Sequence, residues 1–141
     1  MKKTGLYVLL ISIILSCSDK NGNNQSDLCD FESIINTEQF QDANVDPLTI
    51  NSMEIEGDCL KINFSASGCS GDSWILHLID SGEILESFPP QRNLKFSLKN
   101  SELCEAYITR EISFDISNLQ TQEGVVQLNI VNSEESILYN W

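Results

Sequence analysis

Ile50-Asn51-Ser52-Met53-Glu54-Ile55-Glu56, then Gly57-Asp58, then Cys59-Leu60-Lys61-Ile62-Asn63-Phe64-Ser65-Ala66 is the stretch whose reading decides the fold. In its second run Leu60, Ile62 and Phe64 alternate with Lys61, Asn63 and Ser65, the two-residue period of a strand that buries one face. Gly57-Asp58 favours a tight turn, so the two runs read as a β-hairpin.

Everything that follows this hairpin is β in character. Ser73 to Asp80 carries Trp74, Ile75, Leu76, Leu78 and Ile79 and is closed by Ser81-Gly82, which predicts a central strand covered on both faces. Ile84 to Phe88, Leu94 to Leu98, Glu105 to Ile116, Val125 to Val131 and Ile137 to Trp141 are further candidate strands. Gly68, Gly71, Gly82, Pro89, Pro90 and Gly124 break them apart, and Pro89-Pro90 should end a strand or lie on an edge, because neither residue can donate to a ladder. With no long helical period between the runs, the spacing predicts an all-β fold: an antiparallel β-sandwich, Ig-like or similar, of about seven or eight strands. On the N-terminal side, Asp30 followed by Phe31, Ile34, Ile35 and Glu38 predicts one short amphipathic helix with Asp30 as its cap.

The first residues read as an address. Lys2 and Lys3 precede an apolar run from Leu6 to Leu15, then Ser16 and Cys17. The run is about 10 residues long, whereas a membrane span needs roughly 20. Ile14-Leu15-Ser16-Cys17 resembles the bacterial lipobox, which implies that Cys17 receives diacylglycerol. Two or three acyl chains make a stable anchor where one is marginal. The polar run from Cys17 to Ser26 lacks the apolar residues needed to order itself and reads as a flexible tether. The expected organisation is a lipoprotein signal peptide over 1–16, lipidated Cys17 and tether over 17–28, and one β-sandwich domain over 29–141. The expected location is the outer membrane, on its periplasmic face or at the cell surface.

Of the five cysteines in the sequence, Cys29, Cys59, Cys69 and Cys104 then remain, an even number in an oxidising compartment, so two disulfides are expected. A strand between Cys59 and Cys69 rises about 3.3 Å per residue and holds its ends about 20 Å apart. That is too far for these two to pair, since a disulfide needs Cα atoms within roughly 7 Å. Cys29–Cys59 with Cys69–Cys104 is preferred over the crossed arrangement, which stays open; the two loops, about 30 and 35 residues, are each worth about 3–4 kcal/mol in the chain-entropy account.

Without Lys2 and Lys3, six basic side chains face 21 acidic ones, a formal charge of −15. Lys61, Arg92, Lys95, Lys99 and Arg110 are scattered among carboxylates rather than clustered, so nucleic acid is excluded as a partner. A basic protein suits such a surface, as does loosely held calcium, although Asp72 and Asp80 show no calcium-loop spacing.

Gly71-Asp72-Ser73 is the triplet that invites an enzymatic reading. Trp74 follows where a trypsin-like site needs glycine, and Gly68-Cys69-Ser70-Gly71-Asp72 lacks the last glycine of a nucleophile elbow. His77, the only histidine, lies four residues on in a strand and is no natural base for Ser73. There is no C-x-x-C for zinc, and the many acids select no pair suited to glycoside hydrolysis. No metal, cofactor or catalytic residue is assigned. Trp74, Phe88, Phe96 and Trp141 are aromatic candidates for a glycan-binding face, with the core as the alternative place for them.

Gly57-Asp58-Cys59-Leu60, Ser67-Gly68-Cys69, Pro89-Pro90-Gln91, Cys104-Glu105-Ala106 and Phe114-Asp115-Ile116-Ser117 together resemble small uncharacterised lipoproteins of Bacteroidota, over roughly residues 50–140. The resemblance implies secretion, a β fold and pairing of Cys69 with Cys104. It brings no activity, and the relatives' charged or histidine-bearing turn is replaced here by Ser70-Gly71-Asp72-Ser73. The reading is therefore a non-catalytic binding or structural module of the envelope, with an envelope protein or a glycan as partner. Inhibition of a secreted enzyme, or hydrolysis by Asp72, Ser73 and His77 or by an unassigned carboxylate pair, are the alternatives.

Overall fold

The computed structural model describes residues 28–141; the expected signal peptide, the expected lipidation site Cys17 and the expected tether up to residue 27 lie outside the described residues. Its strands are β1 (Phe31–Glu32), β2 (Ile34–Ile35), β3 (Thr49–Glu56), β4 (Cys59–Gly68), β5 (Ile75–Leu85), β6 (Gln91–Lys99), β7 (Ala106–Asp115), β8 (Val125–Ile130) and β9 (Glu135–Asn140), with one α-helix, α1 (Thr37–Asp42), and a short 3-10 turn over Ser117–Leu119. The deciding hairpin is β3–β4, turning at Gly57 with φ 61°. β4 also pairs with β7 along its whole length, from Cys59↔Asp115 to Gly68↔Ala106. The first sheet has the order β1-β7-β4-β3 and the second β2-β5-β6-β8-β9, an all-β sandwich.

The alternation seen in the sequence becomes the core. Leu60, Ile62 and Phe64 of β4 and Phe114 of β7 face Leu78, Leu94, Phe96, Leu98 and Leu128 of the second sheet, and all are fully buried. Phe96 meets Phe64 at 5.0 Å and Phe114 at 6.0 Å between ring centroids, both edge-to-face. Such pairs add about 0.5–1.5 kcal/mol each beyond the area they bury.

Three features differ from the sequence reading. Both sheets are mixed, because β1–β7, β2–β5 and β6–β8 pair in parallel. The β6–β8 case follows from connectivity: β7 returns to the pole from which β6 starts, and the link through 116–124 feeds β8 from that same pole. Second, the helix begins at Thr37 and is capped by Asn36, whose side chain accepts from Gln39 N at 2.8 Å. Residues 31–35, which carry helical spacing, are drawn into the sheets instead. Asp30 accepts from Ser113 N and Oγ at 2.8 and 2.7 Å, Phe31 packs on Phe114 at 6.0 Å, and Ile34 pairs with Ile79. Third, Ser81-Gly82 does not end β5. Gly82, with φ 82°, forms an irregularity where the register shifts between Asp80 and Ile84, and Ile84-Leu85 continue β5 rather than starting a new strand. A Cβ at Gly82 would lie 2.9 Å from Thr37 Oγ1, so glycine lets α1 approach here. β5 is also less covered than expected: α1 and β2 cover Ile79, but Ile75 is about half exposed.

Beside this irregularity sits a buried charge pair. Arg92 donates from Nε and Nη2 to the two carboxylate oxygens of Asp80, both at 2.9 Å, and Gly82 N donates to Asp80 Oδ1 at 2.7 Å. Asp80 is fully buried and Arg92 is 5 % exposed. Both oxygens of Asp80 are thereby used, which is the condition for tolerating buried ions. Next to the Gly57-Asp58 turn, Tyr139 is buried with its hydroxyl donating to Asp58 Oδ1 at 2.5 Å and accepting from Gln120 Nε2 at 2.7 Å. Burial first and the Asp58 hydrogen bond second push the Tyr139 hydroxyl up to about 12.

Removing one member of the buried pair strands the other's charge. Arg92→Met is therefore expected to cost about 3–5 kcal/mol, and Asp80→Asn combined with Arg92→Met to recover a good part of that. Urea denaturation of the single and double variants checks both signs.

Candidate functional site

β4 carries ten residues at about 3.3 Å each, so its ends lie roughly 30 Å apart and define two poles. At the Gly57-Asp58 pole, Cys29 is bonded to Cys59 with Cα atoms 5.7 Å apart. At the other, Cys69 is bonded to Cys104 with Cα atoms 4.8 Å apart, joining the loops that follow β4 and β6. These are the preferred pairings; the crossed arrangement is not formed.

The second pole gathers the residues of the Gly71-Asp72-Ser73 triplet. Its organiser is Glu102, which the sequence reading passed over. The Glu102 carboxylate accepts from the backbone N–H of Cys69 at 2.5 Å, of Ser70 at 3.1 Å and of Gly71 at 3.0 Å, and from Ser73 Oγ at 2.9 Å. Three successive amides aimed at one point make an anion-binding concavity. Here the protein fills it with its own side chain. Partial desolvation is the largest single influence and acts to raise the Glu102 carboxyl, but the hydrogen bonds from Gly71, Cys69, Ser73 and Ser70 together outweigh it and bring it down to about 2.

Neighbouring groups complete the lock. Arg110 donates from Nη1 to Gly71 O, and Trp74 N donates to Gly71 O at 3.3 Å. Trp74 is buried against the loop with its indole N–H lacking a partner. Gly68 permits this packing: a Cβ there would meet Glu102 Oε2 at 2.5 Å and Trp74 Cζ2 at 2.8 Å. Once Cys69 is paired with Cys104, an acid two residues before Cys104 falls beside the amides of 69–71, which is the signal in the sequence that points to Glu102.

Asp72, Ser73 and His77 are not brought together. Ser73 spends its hydroxyl on Glu102, and Asp72 is exposed with its N–H on Ser70 Oγ at 3.3 Å. His77 is exposed on the outer face of β5, lining a cleft of about 320 Å³ with residues such as Ile34, Gln39, Asn44 and Ser97, to which neither Asp72 nor Ser73 contributes. Among the described residues no three His, Cys, Asp or Glu side chains are grouped so as to hold a metal ion. Two large side chains stand out from this pole beside the exposed Asp72 and Glu105: Leu103 is 95 % exposed and Tyr107 65 %. Of the aromatic candidates, Trp74 and Phe96 are core, Trp141 lies 5.0 Å from the Tyr139 ring, and Phe88 stands 93 % exposed at the opposite pole.

The lock carries a definite pH dependence. A carboxyl depressed on folding contributes stability that is present above its ordinary pKa of 4.5 and is lost as pH falls toward about 2. Trp74 emission should therefore change over pH 4.5 to 2 as the loop loosens, and Glu102→Gln, which cannot ionise, should abolish that acid step.

No family model and no curated protein matches this sequence. Solved structures do share its fold. A toxin-related protein from Parabacteroides distasonis aligns with a TM-score of 0.55 at 20 % identity over 79 % of this protein and 60 % of its own length. A DUF1344 protein of unknown function from Bacteroides vulgatus gives 0.54 at 18 % identity over 79 % and 56 %. A NigD-like immunity protein from Bacteroides caccae gives 0.54 at 10 % identity over 77 % and 59 %. The protein thus spans less than two thirds of the length of each of these structures, and at these identities the likeness is one of fold.

Proposed function

We propose that the protein is a non-catalytic binding module of the bacterial cell envelope, lipid-anchored to the outer membrane through Cys17, and that it presents its Cys69–Cys104 pole to a protein partner. The observation that carries this reading is the internal capture of Glu102. The amides that would stabilise a reaction's anion, and the hydroxyl that would act as nucleophile, are consumed in holding the loop still. A loop fixed in advance loses less conformational entropy on binding, which favours recognition.

Three further points support it. Cys29 enters the domain at the pole opposite the stapled loops, so an anchor N-terminal to it leaves Leu103 and Tyr107 facing away from the membrane. Among the described residues four of the five cations are already paired within the protein: Lys61 with Glu56 at the surface, Arg92 with Asp80, Lys95 with the carbonyl of Phe40 and Arg110 with that of Gly71. The outward field is thus set by carboxylates and suits a basic partner. Lastly, one structural neighbour is named for immunity and another for its relation to a toxin, which favours a protein over a small molecule as the thing bound. If that partner is an enzyme, binding at a rigid disulfide-stapled loop would act as inhibition.

Anchoring and recognition are tested separately. Cys17→Ala should stop incorporation of labelled palmitate and move the protein out of the membrane fraction; unchanged labelling would sink the anchor. A photo-crosslinking amino acid at Leu103 should trap one defined protein in living cells, and adding Tyr107→Asp should remove that adduct. A probe at Glu54, on the outer face of the first sheet, should not trap it. Equal adducts from both positions would overturn the assignment of the pole.

A further inference from the structure

The geometry points to a second binding site, for an uncharged glycan, on the outer face of the second sheet. β6 and β8 run parallel there, and their register sets Gln91 beside Gln127 and Asn93 beside Asn129. The outer face of the first sheet sets its amides Asn51 and Asn63 among charged side chains, Glu54, Lys61 and Glu111, whereas here four amide side chains stand in two adjacent rows.

The amides orient one another. Asn129 Nδ2 donates to Gln91 Oε1 at 3.0 Å and to Asn93 Oδ1 at 3.3 Å. Gln91 Nε2 donates in turn to Ser87 Oγ at 3.1 Å, and Ser87 Oγ to Pro89 O at 2.6 Å. What is left over is complementary: the Asn93 amide as donor, the Asn129 carbonyl as acceptor, and both ends of Gln127. Neighbouring hydroxyls of a sugar ring each donate and accept, so a fixed donor and a fixed acceptor side by side match a vicinal pair.

A second, independent observation lies next to them. Phe88 is 93 % exposed, the most exposed aromatic ring among the described residues, and shares an open cleft of about 260 Å³ with Pro89, Gln91, Gln127 and Asn129. An aromatic ring beside fixed polar groups receives the C–H face of a sugar while the amides take its hydroxyls. The cleft is slightly smaller than the roughly 300–1,000 Å³ of enclosed ligand pockets, which suits an oligosaccharide lying across the sheet. No charged side chain lines it. A phosphorylated or sulfated glycan would find no cation there, whereas a neutral one needs none. A lipid surface is the rival occupant for an exposed phenylalanine near the anchored pole. It is disfavoured because Glu86 and Glu123 line the adjoining cleft with Ile84 and Pro90.

The full-length protein, purified in detergent micelles, should be titrated calorimetrically with neutral gluco-, manno-, galacto- and xylo-hexasaccharides. At least one series is expected to bind, with Phe88→Ala and Gln127→Ala each weakening it by about tenfold or more and Phe88→Trp retaining it. The Phe88 ring stands in solvent, so circular dichroism of the Ala variant should be unchanged. Failure of every series up to about 10 mM, or binding that survives both Ala substitutions, overturns the site. So does a Phe88→Ala protein that binds the oligosaccharide normally but has lost adsorption to phosphatidylethanolamine vesicles. None of these outcomes touches the adduct expected at Leu103, so the two readings fail separately.

Discussion

Both disulfides of the domain grip the ends of one strand. Cys59 is the first residue of β4 and Cys69 follows its last, Gly68, so the strand is pinned at each pole to a different part of the polypeptide. β4 is also paired on both sides, to β3 and along its whole length to β7, and its inward residues Leu60, Ile62 and Phe64 are completely buried. Burying each such side chain is worth about 1.5–3 kcal/mol, and closing each loop covalently adds about 3–4 in the chain-entropy account. The remaining elements take their places from it. Cys29 brings the N-terminal segment to the sandwich edge, where β1 joins one sheet and β2 the other. Cys104 brings the β6–β7 loop over the end of β4, where Glu102 meets its amides.

This frame was legible because its signals are local. Alternation of apolar and polar residues sets the face of a strand at once, Gly57-Asp58 sets the turn, and the length of β4 forbids Cys59 from reaching Cys69. What stayed hidden depends on contacts distant in sequence. Phe31, Ile34 and Ile35 have helical spacing, yet the edge amides and carbonyls of β5 and β7 were available to them, and pairing there also packs Phe31 against Phe114. Ser81-Gly82 reads as a stop, but Asp80 holds Gly82 N and the ladder resumes beyond it. Parallel pairing of β6 with β8 leaves no mark within either strand. Of the candidate site, the staple could be read, while Glu102, Arg110 and the burial of Trp74 required knowing which loops the staple joins.

The Glu102 lock also explains how a sequence can carry the triplet of a hydrolase without its geometry. A concavity of backbone amides is useful in catalysis only if it is empty until charge develops in it. Glu102 keeps it filled, and with its carboxyl held at about 2 it is an anion under all but strongly acidic conditions. The same donors that would lower a barrier instead lower the energy of the resting loop. Trp74 and Arg110 then pack behind a loop tied down by Glu102 and by the Cys69–Cys104 bond, and Leu103 stands exposed one residue from each of these attachments.

Covalent connectivity gives the arrangement a mechanical sense. From Cys104 the shortest bonded path back to Cys29 crosses to Cys69, follows the backbone of β4 to Cys59 and crosses again, bypassing every other strand. A pull applied at Leu103 against an anchor N-terminal to Cys29 therefore loads bonds and one doubly paired strand. It does not first peel β8 and β9 from the second sheet, or part the two sheets and expose the core. Two disulfides placed anywhere else in the sandwich would close loops of similar entropy, but a pair at the two ends of one strand puts the proposed partner's grip and the proposed N-terminal anchor on a single covalent line.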